Sequence, residues 1–132
     1  MSNQHNITIV KTEGNIVEDL RSYVNDDKIE IRVFGNIEKI NKNMYADIEA
    51  TRTENSDNRK VCTILANGGF LSKAIRDSLA VSECVAIVKK KKSSFKPGKL
   101  VNTICEQVGM KVSKYKVYAS GTFLIYMCRK GQ

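Results

Sequence analysis

The chain has 132 residues, of which 42% are hydrophobic and 27% charged, a balance typical of one globular domain that excludes wholesale disorder. Its net charge of +8 is unevenly divided, because residues 1–60 carry −2 and residues 61–132 carry +10. A basic half of this kind is typical of a protein that meets a polyanion. The alternative interpretation is a lysine-rich surface that serves only solubility.

The apolar runs are too short for a membrane span. The longest, from Ala119 to Cys128, is interrupted by Ser120, Gly121 and Thr122, and a span needs about 20 apolar residues. Residues 1–6 have no basic stretch followed by an apolar one, so we expect no signal peptide and an intracellular protein, cytoplasmic or nuclear, with no membrane partner. We expect tails at 1–6 and 130–132 around one compact domain over 7–129, with possible halves 7–60 and 61–129.

The first half is predicted to alternate strands with a helix. A β-branched run predicts a strand at Ile7–Val10, helical spacing of apolar residues predicts a helix at Ile16–Val24, and alternation predicts a strand at Ile29–Val33. Residues 36–44 are ambiguous and compatible with one turn of helix. The alternation of Ala46, Ile48 and Ala50 with polar residues predicts a further strand, which a polar turn at 54–58 connects to a strand at Val61–Ala66.

The second half begins after the chain break at Asn67-Gly68-Gly69. Helical spacing from Leu71 to Leu79 predicts an amphipathic helix. The apolar run Cys84–Val88 suits a central strand, or else a continuation of that helix. A basic loop over 89–99, a helix over 100–108 and a hairpin of strands at 112–119 and 122–128 follow, and the last strand is predicted to be central because it is apolar on both faces.

This order of elements predicts the α+β class, with a mixed sheet and about two to three helices packed on it. A shift of 55 positions superposes the two strand–helix–strand units, and places Thr8, Ile9, Gly14 and Arg21 on identical residues. One interpretation is a duplicated unit. The other is that any two amphipathic strand–helix–strand units align as well.

The cysteines and the single histidine offer no metal site. Cys62, Cys84, Cys105 and Cys128 form no Cys-x-x-Cys pair, and His5 is the only histidine, so a zinc tetrahedron has no ligands. Each cysteine has an apolar neighbour, and we therefore expect four buried free thiols in a reducing compartment.

Catalytic patterns are also absent from the sequence. One histidine allows no Ser/His/Asp arrangement, and the paired carboxylates fall on predicted surfaces. The Asn67-Gly68-Gly69 turn between a strand and a helix matches no nucleotide-binding motif, although backbone N–H groups there could receive a phosphate. We expect no enzyme and no cofactor. The alternative is an enzyme for an acidic or phosphorylated substrate, with a pocket near Gly68-Gly69.

The strongest signal is the basic loop, in which six lysines in eleven positions can displace counterions from a phosphate backbone while Phe95 stacks on a base. The alternative is a solvated loop with Phe95 folded onto the core. Lysine is a point charge without the two-pronged geometry of arginine, so we expect little sequence discrimination. The candidate nucleic-acid-binding residues are, in this loop, Lys89, Lys90, Lys91, Lys92, Phe95, Lys96 and Lys99; on the helix before it, Lys73 and Arg76; and around the polar turn, Arg52, Arg59 and Lys60.

The segment Val61–Arg129, read as strand–helix–strand–helix–strand–strand, resembles the Alba-like proteins, small basic chromatin and RNA-binding proteins of archaea and eukaryotes. Its stretch Gly69-Phe70-Leu71-Ser72-Lys73-Ala74-Ile75 is similar to the family's glycine followed by Ile-Ser-Lys-Ala-Val. The hairpin expected from Ile48 to Leu65, with Arg59-Lys60 before its second strand, is similar to the family's basic hairpin. The resemblance implies that Lys73 faces nucleic acid, and that a dimer or an internal pseudo-dimer contacts the backbone of DNA or RNA.

The sequence therefore predicts a nucleic-acid-binding protein that contacts phosphates through a lysine-rich loop with low sequence specificity, as a homodimer or internal pseudo-dimer. The alternative is a protein–protein adaptor or viral or assembly subunit without a nucleic-acid role. In that case edge strands pair with another chain and the lysines provide solubility.

Overall fold

The computed structural model describes residues 9–12, 15–52, 60–66, 72–90, 99, 102–103, 106, 114–118 and 122–128. Strands and helices alternate along them. In chain order the elements are β1 (Ile9–Thr12), α1 (Ile16–Val24), β2 (Ile29–Gly35), α2 (Ile37–Ile40), α3 (Lys42–Arg52), β3 (Lys60–Ala66), α4 (Ser72–Val81), β4 (Cys84–Lys90), β5 (Lys114–Tyr118) and β6 (Thr122–Cys128).

The strands form one mixed sheet of six strands in the order β1-β5-β6-β4-β3-β2. β2, β3 and β4 are parallel neighbours, β6 runs antiparallel to both β4 and β5, and β1 is parallel to β5. The fold therefore belongs to the predicted α+β class with a mixed sheet. β6 lies between β4 and β5, as its two apolar faces predicted.

This topology gives the sheet two distinct ends. β2, β3 and β4 finish at Gly35, Ala66 and Lys90, where β6 begins at Thr122; we call this the carboxyl end of the sheet. α2 begins just beyond it, and α3 then leads the chain back to the start of β3 at Lys60, which lies at the opposite end, the amino end. Strands of seven residues separate the two ends by about 20 Å.

One hydrophobic cluster joins α1, α2 and α3 to one face of β2, β3, β4 and β6. Leu20 of α1 and Ile48 of α3 are fully buried in it, together with Ile64 and Leu124 of the sheet. On the other face of the sheet, Leu65, Val85 and Ile125 are buried, and α4 lies against β3 and β4 with Ile75 and Leu79 buried.

Helix α1 shows how local sequence sets an element's limits. The Asn15 side chain accepts hydrogen bonds from the backbone N–H groups of Val17 (2.7 Å) and Glu18 (3.3 Å), which satisfies two donors at the start of the helix. Asn25 ends the helix in the left-handed conformation (φ 54°), which asparagine tolerates better than most residues.

One predicted strand is wrong, because Ala46, Ile48 and Ala50 lie in helix α3. Met44, Ile48 and Thr51 are its buried residues, so the apolar period is helical, and the two alanines favour a helix. The hairpin expected from Ile48 to Leu65 therefore does not form, and this part of the Alba resemblance is lost.

The other elements follow the predictions closely. α1, β2, β3, α4, β4, β5 and β6 occupy the predicted segments within a few residues, and α2 is the turn of helix around Ile37 and Ile40. Lys99, Asn102, Thr103 and Glu106 are helical, as expected for the helix over 100–108, whose apolar positions lie outside the described residues. The polar turn at 54–58 and the Asn67-Gly68-Gly69 turn also lie outside them.

The expectation of four free thiols is wrong for two cysteines. Cys84 and Cys128 are directly opposite on β4 and β6 and form a disulfide. Cys62, the register partner of Cys84 on β3, is buried and free as predicted, and Cys105 lies outside the described residues. The bonded pair removes the cysteine argument for a reducing compartment.

The two strand–helix–strand units that align at a shift of 55 differ in how their strands pair. β3 and β4 are neighbours, whereas β1 and β2 lie at opposite edges of the sheet.

Among the described helices, none is long and apolar enough to cross a membrane.

Candidate nucleic-acid interface

The basic stretch that follows Val88 begins inside the sheet rather than in a loop. Lys89 and Lys90 are the last two residues of β4, and Lys90 is exposed opposite Thr122 on β6. Because β4 is a central strand, these lysines are held by the sheet at its carboxyl end. The strand therefore gives the basic segment a fixed starting point.

A sharp connection between α2 and α3 brings further lysines to the same end. Asn41 lies between the two helices; its side-chain oxygen accepts a hydrogen bond from the Met44 N–H (3.1 Å) and its side-chain nitrogen donates one to the Thr122 hydroxyl (3.1 Å). Thr122 is the register partner of Lys90, so Lys42, which follows Asn41, begins α3 at the same end of the sheet as Lys90. The link from Asn41 to Thr122 thus joins the α2–α3 connection to the end of the sheet.

Three lysines at this end have no anionic partner among the described residues. Lys39 on α2, Lys42 at the start of α3 and Lys90 on β4 are all exposed, and none makes an ion pair within the part of the chain that the structure describes. We refer to Lys39, Lys42 and Lys90 as the lysine triad. Three separate elements thus place positive charge at one end of the sheet.

The helix ends here add to the positive potential. α3 and α4 both begin at the carboxyl end, and neither has an acidic residue in its first turn. The partial positive charge of a helix N-terminus is therefore not offset by a local carboxylate. α2, which also begins at this end, carries Glu38 in its first turn, and α1 carries Glu18 and Asp19 in its first turn.

The predicted nucleic-acid-binding residues on α4 differ from the lysine triad, because Lys73 forms an ion pair within the helix. Lys73 lies in the first turn with its side chain 82% exposed, and its Nζ forms an ion pair with Asp77 (2.9 Å) one turn later. Arg76 is exposed on the same helix. An exposed pair of this kind is weak, so the Lys73 ammonium can be drawn to a phosphate at little cost.

Two other predicted residues lie at the amino end of the sheet. Arg52, at the end of α3, forms an ion pair with Glu49 (3.1 Å). Lys60, at the start of β3, donates a hydrogen bond from Nζ to the backbone carbonyl of Val24 (2.8 Å), the last residue of α1. A lysine bound to a terminal helix carbonyl stabilises that helix end, so the structure gives Lys60 a structural contact. The structure brings neither residue together with the lysine triad.

For the remaining predicted residues the structure describes no contact made by their side chains. Lys99 is helical and exposed. Outside the described residues lie Arg59, Lys91, Lys92, Phe95 and Lys96.

Sequence reasoning missed Lys39 and Lys42. Residues 36–44 show no clear apolar period in the sequence. Because a strand was expected around Ile48, Lys42 was not recognised as the first residue of a helix. The signal that could have found them is Asn41, a good N-cap residue, followed by buried positions at Met44 and Ile48 with helical spacing.

A partly buried hydrogen bond connects helix α1 to the central strand β6. The hydroxyl of Tyr126, which is fully buried on β6, donates a hydrogen bond to Asp19 of α1 (2.7 Å). The Tyr126 ring meets Tyr23 edge to face, with centroids 4.8 Å apart. Burial, and secondarily the Asp19 carboxylate, raises the pKa of Tyr23 to about 12.

Cys62 is the described free thiol, and its environment makes it inert. Burial, with a smaller contribution from Glu83, raises the pKa of the Cys62 thiol to about 12. Since the thiolate is the nucleophile, this thiol is not suited to catalysis. Among the described residues no group of three or more His, Cys, Asp or Glu side chains could hold a metal ion.

One open cleft lies away from the lysine triad. It has a volume of about 610 Å³ at the C-terminal part of α1 and the turn after it. Its charged lining mixes signs, with Glu18, Asp26 and Asp27 against Arg21 and Lys28. No residue predicted from the sequence to bind nucleic acid lines it, and its balance of charge does not favour a polyanion.

Comparison with known proteins does not assign the chain to a group: no family model, no curated protein and no solved structure matches it.

Proposed function

We propose that this protein binds nucleic acid through phosphate contacts at the carboxyl end of its sheet, with low sequence specificity. The observation that carries the proposal is the lysine triad, in which Lys39, Lys42 and Lys90 come from three elements to one end and form no ion pair with a described residue. Each such ammonium group can replace a condensed counterion on a phosphate backbone.

The distribution of charge between the two ends supports this assignment. The amino end carries Asp26, Asp27 and Glu83 together with the ion-paired Arg52 and the helix-bound Lys60. The carboxyl end also holds a carboxylate, the exposed Glu38 of α2, but its three lysines form no ion pair with a described residue, so a polyanion is attracted more to this end than to the amino end. The interface proposed here therefore comprises the lysine triad, Lys73 and Lys89, and it omits Arg52 and Lys60.

The Alba resemblance supports the same class of function. Over Val61–Arg129 the described elements follow the order strand, helix, strand, helical residues, strand, strand. Lys73, which corresponds to the lysine that faces nucleic acid in that family, is exposed at the start of α4. Membership in the family, like the binding itself, is part of the proposal.

The test is fluorescence anisotropy with a labelled single strand, a duplex DNA and a duplex RNA across a salt series. We expect binding that weakens steeply with salt, and the ligand bound most tightly identifies the class of nucleic acid. In the double variant Lys42→Ala/Lys90→Ala, each lost phosphate contact reduces the slope of log K against log salt by about 0.9 on duplex DNA. Replacing Lys89–Lys92 with alanine should weaken binding to all sequences alike.

The matched control is Arg52→Ala, which removes one exposed positive charge from the amino end. We expect its affinity and salt slope to equal those of the wild type. Absence of binding to all three ligands at low salt would contradict the proposal and favour the adaptor interpretation. An equal loss of affinity in the control and in Lys90→Ala would contradict the assignment to the carboxyl end.

A further inference from the structure

Strand β2 forms an open edge of the sheet. It pairs with β3 along all seven residues, and no described strand pairs with its other side. Edge strands in monomeric proteins are usually protected from pairing by short length, charged side chains, proline or a bulge. The segment Ile29–Gly35 is long and regular and contains no proline, and its two charged side chains, Glu30 and Arg32, are of opposite sign and pair with each other.

The two faces of β2 differ, because one packs into the hydrophobic cluster and the other is exposed. Ile29 and Ile31 are buried in the hydrophobic cluster, and Val33 packs against it. On the opposite face Glu30 and Arg32 are exposed and form an ion pair with each other (2.9 Å). Phe34, on that face, is 53% exposed.

We propose that β2 pairs antiparallel with β2 of a second copy of this chain, about a two-fold axis through Ile31, so that the two sheets become continuous. In this register Glu30 lies opposite Arg32 of the second copy, and Arg32 opposite its Glu30. Two cross-strand pairs of opposite charge thus form by symmetry.

The same register suits the other residues of the strand. Ile31 meets its own copy, and Ile29 lies opposite Val33, so apolar residues continue the cluster across the axis. On the other face Phe34 lies opposite Lys28, whose ammonium can contact the aromatic ring and cover it.

The neighbouring registers on the same faces are disfavoured by charge. An axis through Arg32 places the two Arg32 side chains opposite each other, and an axis through Glu30 does the same for the two glutamates and sets Lys28 against Arg32. Like charges directly opposite destabilise a strand pair. The charges of β2 therefore favour the register about Ile31 over its two neighbours, and this self-complementarity is the argument for a second copy rather than an unrelated peptide.

The test is sedimentation equilibrium of the nuclease-treated protein without nucleic acid, which keeps it independent of the proposed binding function. We expect a dimer for the wild type. Glu30→Arg and Arg32→Glu alone should each raise the dimer dissociation constant by at least about tenfold, because two attractive pairs become repulsive. An equimolar mixture of the two variants should dimerise again, since both cross-strand pairs between unlike chains then join an arginine to a glutamate.

The matched controls are Glu49→Arg and Arg52→Glu, which reverse an ion pair of similar exposure on α3. They should leave the dissociation constant unchanged, and circular dichroism checks that all variants are folded. A monomeric wild type, single variants that dimerise normally, or a mixture that stays monomeric would each overturn the proposal.

Discussion

At the scale of single residues, the contact between Tyr126 and Asp19 ties a central strand to helix α1. The hydroxyl of Tyr126 has no access to water, so its hydrogen bond to the carboxylate cannot be replaced by solvent. We expect Tyr126→Phe to lower the free energy of unfolding by about 1.5–3 kcal/mol, the range for hydrogen bonds to charged groups. Urea denaturation measures this change.

Tyr45→Phe is the control for that substitution. Tyr45 also packs against the hydrophobic cluster, but its hydroxyl makes no hydrogen bond with a described residue. Its loss should change the free energy of unfolding by less than about 0.5 kcal/mol. Equal effects of the two substitutions would show that the Tyr126 hydroxyl has no special role.

Cys62 links stability to alkaline pH. Its pKa of about 12 in the folded protein lies above the ordinary value of 9.0, so the folded state favours the neutral thiol. The resulting stabilisation is fully present below pH 9 and is lost as the pH rises toward 12. We expect the free energy of unfolding to fall less steeply between pH 9 and 12 in Cys62→Ala than in the wild type, and identical slopes would contradict this assignment.

At the scale of elements, the Cys84–Cys128 disulfide closes a loop of 44 residues between β4 and β6. A bond of this span stabilises mainly by restricting the unfolded chain, by about 2–4 kcal/mol. We expect reduction to lower the free energy of unfolding of Cys62→Ala, in which the disulfide is retained, by this amount. An unfolding midpoint that is the same with and without reductant would contradict it, and a peptide map of the unreduced protein identifies the linked pair.

The elements show how far the sequence alone could reach. Elements with a clear apolar period, such as α1 and β2, were predictable because burial of one face dictates that period, and β4 was predictable as a central strand from its continuous apolar run. Helix α3 was not, because Ala46, Ile48 and Ala50 satisfy an alternating pattern while Met44, Ile48 and Thr51 satisfy a helical one. The buried contacts that decide between the two are tertiary.

The same limit applies to the candidate site. The lysines at the end of β4 were found because they are consecutive in the sequence, but their neighbours Lys39 and Lys42 are about 50 residues away. The tertiary structure, above all the hydrogen bond from Asn41 to Thr122, reveals that the α2–α3 connection lies at this end of the sheet. The disulfide was missed for the same reason, since the register of β4 and β6 is not encoded locally.

At the scale of the whole molecule, the described charges divide between the two ends of the sheet. The carboxyl end carries the lysine triad, Glu38 of α2, and the N-termini of α3 and α4, which have no acidic residue in their first turns, whereas at the amino end Lys60 is bound to α1 and Arg52 is ion-paired. If β2 pairs with its copy about an axis perpendicular to the sheet, the two carboxyl ends point in opposite directions. A dimer would then present two separate phosphate-binding ends.

The central claim is that one end of the sheet binds phosphate and the other does not. The most direct measurement compares the salt slopes of nucleic-acid binding for Lys42→Ala/Lys90→Ala and for Arg52→Ala/Lys60→Ala, each of which removes two positive charges. We predict a slope lower by about 2 for the first variant on duplex DNA. For the second we predict an unchanged slope, with unfolding free energy lower by about 0.5–1 kcal/mol from the lost contact to α1. Equal slopes in the two variants would contradict the account.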